Sequence, residues 1–292
     1  MIRRPFGNTG LDVSALGLGA GSLGGDDVSE DAASRLLNTA LDAGVSLIDT
    51  ARSYGASEER IGRHLSHRRD EVVLSTKGGY GVDGVPDWTS EAITRGIERA
   101  LVTMRTDRID VFHLHSCPLD VAMRDDILGA LDRARREGKI IVAAYSGEGE
   151  ALSRAVRSGA FGSVQCSVNL FDQSSVEYVL PAAEHKGVGV IAKRPLANAV
   201  WRHRSWPQGD HATYWERMQA MQLDPGDLGW HQLALRFSAF APGVTCAIVG
   251  TSRPEHLLEA IAHVGKGPLP EPMRLRIQAS FQSKDRGWSG HV

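Results

Sequence analysis

Eight short apolar runs of β character, each followed by a stretch of helical periodicity, constrain this chain more than any other feature. The runs are 13–18, 46–49, 72–76, 109–115, 140–145, 163–168, 188–192 and 246–249. The helical stretches are 29–43, 57–65, 90–104, 126–137, 148–158, 176–186, 225–239 and 254–264. Antiparallel neighbours need only short turns, so a helix-length connection after each strand predicts parallel pairing. Eight such units close on themselves, which predicts an α/β chain folded as a (β/α)8 TIM barrel, read here as one domain over residues 1–292. In that architecture the chemistry sits at the C-terminal ends of the strands.

Helix ends support the reading. Ser29 and Ser90 precede acids at Glu30, Asp31 and Glu91, as N-caps do. Pro225 and Pro254 suit a first helical turn, and Gly44, Gly138, Gly159 and Gly187 stand where helices should stop. Two segments fall outside the repeat. RRPFGNTGLDVS reads as an N-terminal β-hairpin before the barrel, turning at Gly7 and Asn8 or at Thr9 and Gly10. The connection 196–224 carries Trp201, Trp206, Tyr214 and Trp215 and reads as a long active-face loop, a lid.

Composition excludes several classes. A net charge of −2 gives no electrostatic reason for a nucleic acid or anionic membrane partner. No apolar run approaches the roughly 18 residues of a membrane helix. The opening MIRRPFGNTG lacks the apolar stretch of a secretory signal. Cys117, Cys166 and Cys246 are odd in number and widely spaced, which points to reduced thiols in a cytoplasm.

Polar residues gather at the predicted strand ends. IDTARSYGASEERIG brings Asp49 and Tyr54, and two later strands end on Lys77 and His115. A phenol with a pKa near 10 is a weak acid toward a carbonyl oxygen at neutral pH. A neighbouring ammonium such as Lys77 should lower that value, with Asp49 holding the lysine charged and His115 donating a second hydrogen bond. GAGSLG, residues 19–24, matches G-x-G-x-x-G in form, but no helix opens on its last glycine, so a Rossmann reading fails. His113 and His115 form H-x-H on one strand face, the start of a metal-hydrolase site that lacks further well-placed ligands beyond Asp49; no metal is expected. VGTSRPEHL places Gly250, Thr251, Ser252 and Arg253 before a helix N-terminus, a good phosphate site.

Taken together, LDVSALGLGAG, IDTARSYGASEERIG, LSTKGG, IDVFHLHSCP, EGKIIVAAYSG, VQCSVNLFDQ, IAKRPL and IVGTSRPEHL resemble the aldo-keto reductase family, in its order and over nearly the whole chain. The resemblance implies reversible carbonyl reduction with an extended nicotinamide cofactor. By position it implies Asp49, Tyr54, Lys77 and His115 as the catalytic tetrad, with Tyr54 as proton donor. Ser146 and Gln165 match groups that hold the nicotinamide amide. Ala20, Gly21, Lys193, Arg194, Pro195, Leu196, Gly250, Thr251, Ser252, Arg253 and Glu259 match the rest of the cofactor site. Arg253 is positioned to meet a 2′-phosphate.

This chain also departs from the family. Gly147 replaces the usual Asn, Lys193 the aromatic that stacks on the nicotinamide, His256 an Arg and Ala260 an Asn. NADP(H) is favoured over NAD(H), and Trp88 and Trp201 are candidate walls for a small carbonyl or alcohol substrate. The expectation is a cytoplasmic oxidoreductase. An NAD-dependent sugar or alcohol dehydrogenase, or a nicotinamide-binding regulatory protein with little turnover, would use the same scaffold.

Overall fold

The computed structural model describes residues 1–290, and of Asp210 the backbone only. Eight parallel strands close into a barrel: β3 (Leu16–Gly19), β4 (Leu47–Asp49), β5 (Val73–Gly78), β6 (Ile109–His115), β7 (Ile140–Ser146), β8 (Ser163–Ser167), β9 (Gly189–Lys193) and β10 (Cys246–Gly250), which pairs with β3. Ahead of them, β1 (Arg3–Pro5) and β2 (Asp12–Ser14) form the antiparallel hairpin. The run read as one strand over 13–18 is therefore two. Residues up to Ser14 pair with the hairpin, and the barrel strand starts at Leu16.

That division has a packing purpose. Phe6 and Val13 of the hairpin lie fully buried in a cluster with Leu47, Val111, Val142, Ala144, Ile191, Cys246 and Ile248. These inward side chains fill the barrel, and the hairpin plugs its floor. Gly189 is where the plug seats: a Cβ there would stand 2.9 Å from the Phe6 ring. A second, larger cluster lies between the strands and the helices outside.

The outer helices follow the expected amphipathic logic. In α1 (Glu30–Asp42) the buried positions are Ala33, Leu36, Leu37, Ala40 and Leu41, one face at 3–4 residue spacing. Ser29 caps it, accepting from the Ala32 amide at 3.2 Å. Then come α2 (Ser57–Leu65) and α3 (Ser90–Thr103). The cap of α3 is Thr89 rather than Ser90, its hydroxyl accepting from Ala92 at 3.1 Å. The short α4 (Leu119–Ala122) precedes α5 (Asp125–Arg136) and α6 (Gly149–Ser158). Pro181 splits the helix expected over 176–186 into α7 (Ser174–Tyr178) and α8 (Leu180–Lys186), because a proline has no N–H to continue the ladder.

The expected long loop is largely helical. A 3-10 segment, Ala197–Arg202, leads to α9 (Asp210–Met221), and α10 (Gly229–Ala239) begins four residues after Pro225. After α11 (Pro254–Gly265), a terminal α12 (Glu271–Lys284) closes over this segment. Tyr214, Met221, Leu233, Phe237, Ile277 and Phe281 form its own core, with Trp201 and Trp230 packed on the side. Trp206 alone of the expected lid aromatics is largely exposed. Among the described residues, no helix is long and apolar enough to cross a membrane.

Candidate active site

Strand register brings the predicted residues to one mouth. Asp49 pairs across to Gly19 and Ser75, Lys77 to His113, and His115 to Ser146, which pairs in turn to Gln165. Lys77 and Asp49 are nearly inaccessible, with side chains 1% and 3% exposed, and their charged atoms meet at 2.6 Å. Lys77 Nζ also donates to the Thr50 carbonyl at 2.7 Å, and Asp49 Oδ1 accepts from Ser75 Oγ at 2.7 Å. The ammonium lies 5.0 Å from the centre of the Tyr54 ring. The Tyr54 and His115 rings meet edge to face at 5.9 Å. The four expected residues thus converge.

The backbone around Tyr54 depends on two glycines. A Cβ on Gly24 would stand 1.9 Å from the Tyr54 carbonyl oxygen, and one on Gly55 2.3 Å from the Gly24 oxygen. The glycines of the 19–24 segment therefore press the first loop against the turn that carries Tyr54.

Electrostatics differ from the expectation in one respect. Lys77 does pull the Tyr54 pKa down, but burial outweighs it, with Asp49 and Tyr80 acting in the same upward sense. The phenol therefore titrates above its ordinary value of 10 and stays protonated throughout the neutral range. His115 is held down to about 4, first by burial and then by Lys77, so its imidazole is neutral at pH 7.

His113, the other half of the H-x-H pair, lies beneath this layer. It is fully buried, and neither ring nitrogen has a hydrogen-bond partner among the described residues. Among those residues no group of three or more His, Cys, Asp or Glu is placed to hold a metal ion. Burial lowers the His113 pKa to about 3, below its unfolded value of 6.5. The unfolded chain therefore binds the extra proton first. Stability is intact above pH 6.5 and falls, by about 1.4 kcal/mol per pH unit from this group, as pH drops toward 3. A His113→Leu variant should lose less stability than the parent between pH 7 and pH 4.5 in urea unfolding. Equal losses would remove His113 as the cause.

A cleft of about 520 Å³ runs from Asp49 and Tyr54 along the loops after β9 and β10 to α11. Of the residues the resemblance assigns to the cofactor, Gly21, Arg194, Pro195, Leu196, Gly250, Thr251 and Glu259 line it. Ala20 is fully buried just behind it, and Ser252 and the exposed Arg253 are not among its lining residues. Its far end carries Arg202, His231, His256 and His263, of which the sequence marks only His256, as a replacement of the family's Arg. One wall is strained. Arg194, Ala197, Asn198 and Ala199 all have positive φ, between 45° and 56°, which costs each non-glycine residue on the order of 1 kcal/mol. Across the cleft, Ser22 Oγ donates to the Thr251 carbonyl at 2.6 Å, joining the first and last strand loops.

At the strand ends beside His115, Ser146 Oγ donates to Gln165 Oε1 at 3.2 Å, while the buried Gln165 Nε2 has no partner among the described residues. A carboxamide is the group such an amide and hydroxyl would hold, so the residues present fit a nicotinamide. Gly147 is accounted for by its neighbour: a Cβ there would stand 2.7 Å from the Tyr145 hydroxyl, which donates to the Cys117 carbonyl at 2.8 Å. Lys193 is engaged by Glu148 at 3.2 Å, and burial raises that carboxyl to about 7. Trp201 stacks on Trp230, centroids 5.5 Å apart, and does not reach the cleft. Trp88 packs on Tyr80 at 5.6 Å.

Tyr80 went unnoticed in the sequence. Its hydroxyl lies 2.8 Å from His115 Nδ1, and its ring stacks on the imidazole at 5.6 Å and 25°. The available signal was an aromatic three residues past Lys77, beyond a glycine pair.

Known proteins resemble this chain. The sequence model of the Aldo/keto reductase family matches residues 15–279. The chain is 30% identical to the D-threo-aldose 1-dehydrogenase of a Pseudomonas species, over 86% of this chain and 89% of that protein. It is 28% identical to the L-galactose dehydrogenase of Arabidopsis thaliana, over 89% and 87%. An aldo-keto reductase of Bacillus halodurans, solved in its holo form, superposes with a TM-score of 0.84 at 26% identity, over 96% of each chain. With a closed eight-stranded barrel and a family match over most of its length, the chain belongs to the aldo-keto reductases, a family of oxidoreductases.

Proposed function

We propose that this chain interconverts a carbonyl and an alcohol on a small molecule, with NADP(H) as redox partner. The observation that carries the reading is that Tyr54 and Asp49, the latter paired with the buried Lys77, line one end of a cleft whose other end carries Arg202 and three imidazoles. When bound, the nicotinamide supplies or takes up hydride at its C4. Tyr54 gives its phenolic proton to the carbonyl oxygen in reduction and recovers it in oxidation. Lys77 stabilises the phenolate left behind, and Asp49 and the Thr50 carbonyl hold the lysine in place. Neutral His115 offers the second hydrogen bond to the same oxygen. Ser146 and Gln165 would hold the carboxamide, and the wall at Arg194 to Ala199 with the loop at Gly250 and Thr251 lines the cleft that the rest of the cofactor would occupy.

NADP(H) is favoured because Arg202 offers a guanidinium, and His231, His256 and His263 offer ring nitrogens, to a phosphate at that end, where Glu259 is the lining acid. The names of two relatives, both sugar dehydrogenases, favour sugar or alcohol oxidation as a second reading. Titration with NADPH and with NADH, followed by tryptophan fluorescence, separates the cases; Trp201 is a suitable reporter because it abuts His231 of the cleft at 5.4 Å. Tighter NADPH binding is expected. Tighter NADH binding would turn the reading toward an NAD-dependent dehydrogenase, and binding of neither would overturn it.

A further inference from the structure

We infer that Tyr80 is a positioning residue whose hydroxyl, donated to Nδ1 of His115, locks the imidazole in its Nε2–H form. This rests on the proposed carbonyl chemistry, in which His115 must donate to the substrate oxygen. A neutral imidazole has one donor and one acceptor nitrogen, and the hydrogen bond made by one sets the role of the other. A proton on Nδ1 would leave Nε2 presenting a lone pair to the carbonyl oxygen, and the second hydrogen bond would be lost. His115 is neutral at pH 7, so the question of tautomer arises in the working enzyme.

The geometry is specific to the turn after β5. Tyr80 Oη sits 2.8 Å from Nδ1, and among the described residues its other hydrogen-bonding neighbour is Ser53 Oγ at 3.4 Å, outside normal O–H···O range. Its ring is clamped between His115 at 5.6 Å and Trp88 at 5.6 Å. The clamp is built with strain. Gly79 adopts φ +122°, where a Cβ would stand 2.2 Å from the Trp88 ring. Trp88 itself takes φ 58°, an unusual conformation for a bulky residue, and its amide donates to the Gly79 carbonyl at 2.7 Å. These features hold the tyrosine flat on the imidazole with its hydroxyl at one nitrogen. Among the described residues no hydrogen bond occupies the other nitrogen, which is left for a substrate.

The test is nitrogen NMR of histidine-labelled protein, with His115→Gln identifying the His115 signals among the 11 histidines. The parent should show Nε2–H with Nδ1 as acceptor, and Tyr80→Phe, which keeps the ring clamp, should show a mixture. In the same variant kcat for carbonyl reduction should fall on the order of 10-fold, as for other partners that fix a histidine tautomer. NADPH affinity should stay within about twofold, since the cofactor contacts are untouched. Combining Tyr80→Phe with His115→Gln should be no slower than His115→Gln alone. An Nδ1–H signal in the parent, an unchanged tautomer in Tyr80→Phe, or a changed tautomer with unchanged kcat would each overturn the assignment. Absence of both cofactor binding and turnover in the parent would instead defeat the oxidoreductase reading, while the NMR still reports on the lock.

Discussion

Tyr54→Phe is expected to cut carbonyl reduction by about 10²- to 10⁴-fold, the range over which a positioned acid contributes. The substitution removes one oxygen and keeps the ring, which packs 3.5 Å from the position of a Cβ on Gly21. Cofactor affinity should therefore change little, and stability by no more than about 1 kcal/mol. A loss confined to kcat with KM near its parent value is the mark of a group that acts in the transition state. The pH profile adds a second signature. Burial raises the Tyr54 pKa above its ordinary 10, so the acid form persists through neutrality. Reduction should stay level from pH 6 to 9 and decline only in strong alkali, whereas oxidation, which needs the phenolate, should climb with pH. Both limbs should vanish in the variant. Turnover equal to the parent's would remove Tyr54 from the chemistry.

That pH profile also shows where sequence reading stops. The neighbours of Tyr54 were legible because Asp49, Lys77 and His115 stand at the ends of successive β-like runs, where a parallel barrel gathers its strand ends at one mouth. The direction of the pKa shift was not, because charge neighbours can be read from strand ends but desolvation depends on what covers the ring. The barrel was legible for a local reason, since helix-length stretches separate the strands and Ser29, Gly44, Gly138, Gly159 and Gly187 mark their ends as short-range signals. The break between β2 and β3 was not, because Val13, Ala15, Leu16 and Leu18 are all apolar and nothing local marks where pairing changes partner. α12 was missed because only Ile277 and Phe281 of its 14 residues are buried, too few to print a periodic stripe. α9 was hidden by aromatic residues that pack on other helices rather than on the barrel. Tyr80, Arg202 and His231 escaped because their roles come from long-range placement. His231 reaches the cleft from α10 and Arg202 from the 3-10 turn, far in sequence from the motif at Gly250.

Breaking the Asp49–Lys77 pair should be the most destabilising single change at the site. Both side chains are almost wholly buried, and removing one partner leaves an uncompensated charge in a dry environment. Lys77→Met keeps the stem and deletes the ammonium, which leaves Asp49 with Ser75 Oγ as its remaining side-chain hydrogen bond. The expected cost is about 3–5 kcal/mol in urea unfolding at pH 7. Asp49→Asn alone should cost less, because Lys77 Nζ keeps the Thr50 carbonyl at 2.7 Å. Combining the two removes both charges, and the double variant should recover much of the loss, so the cycle should return a coupling above about 1 kcal/mol. Turnover should behave oppositely. With no ammonium near Tyr54, the phenolate is unsupported whether or not Asp49 is neutral, so the double variant should be as inactive as Lys77→Met. Restored folding without restored turnover separates the structural share of the pair from its chemical one. Additive stability losses would mean the two charges do not depend on each other. Recovered turnover in the double variant would mean that Lys77 matters to the reaction only through the stability of the fold.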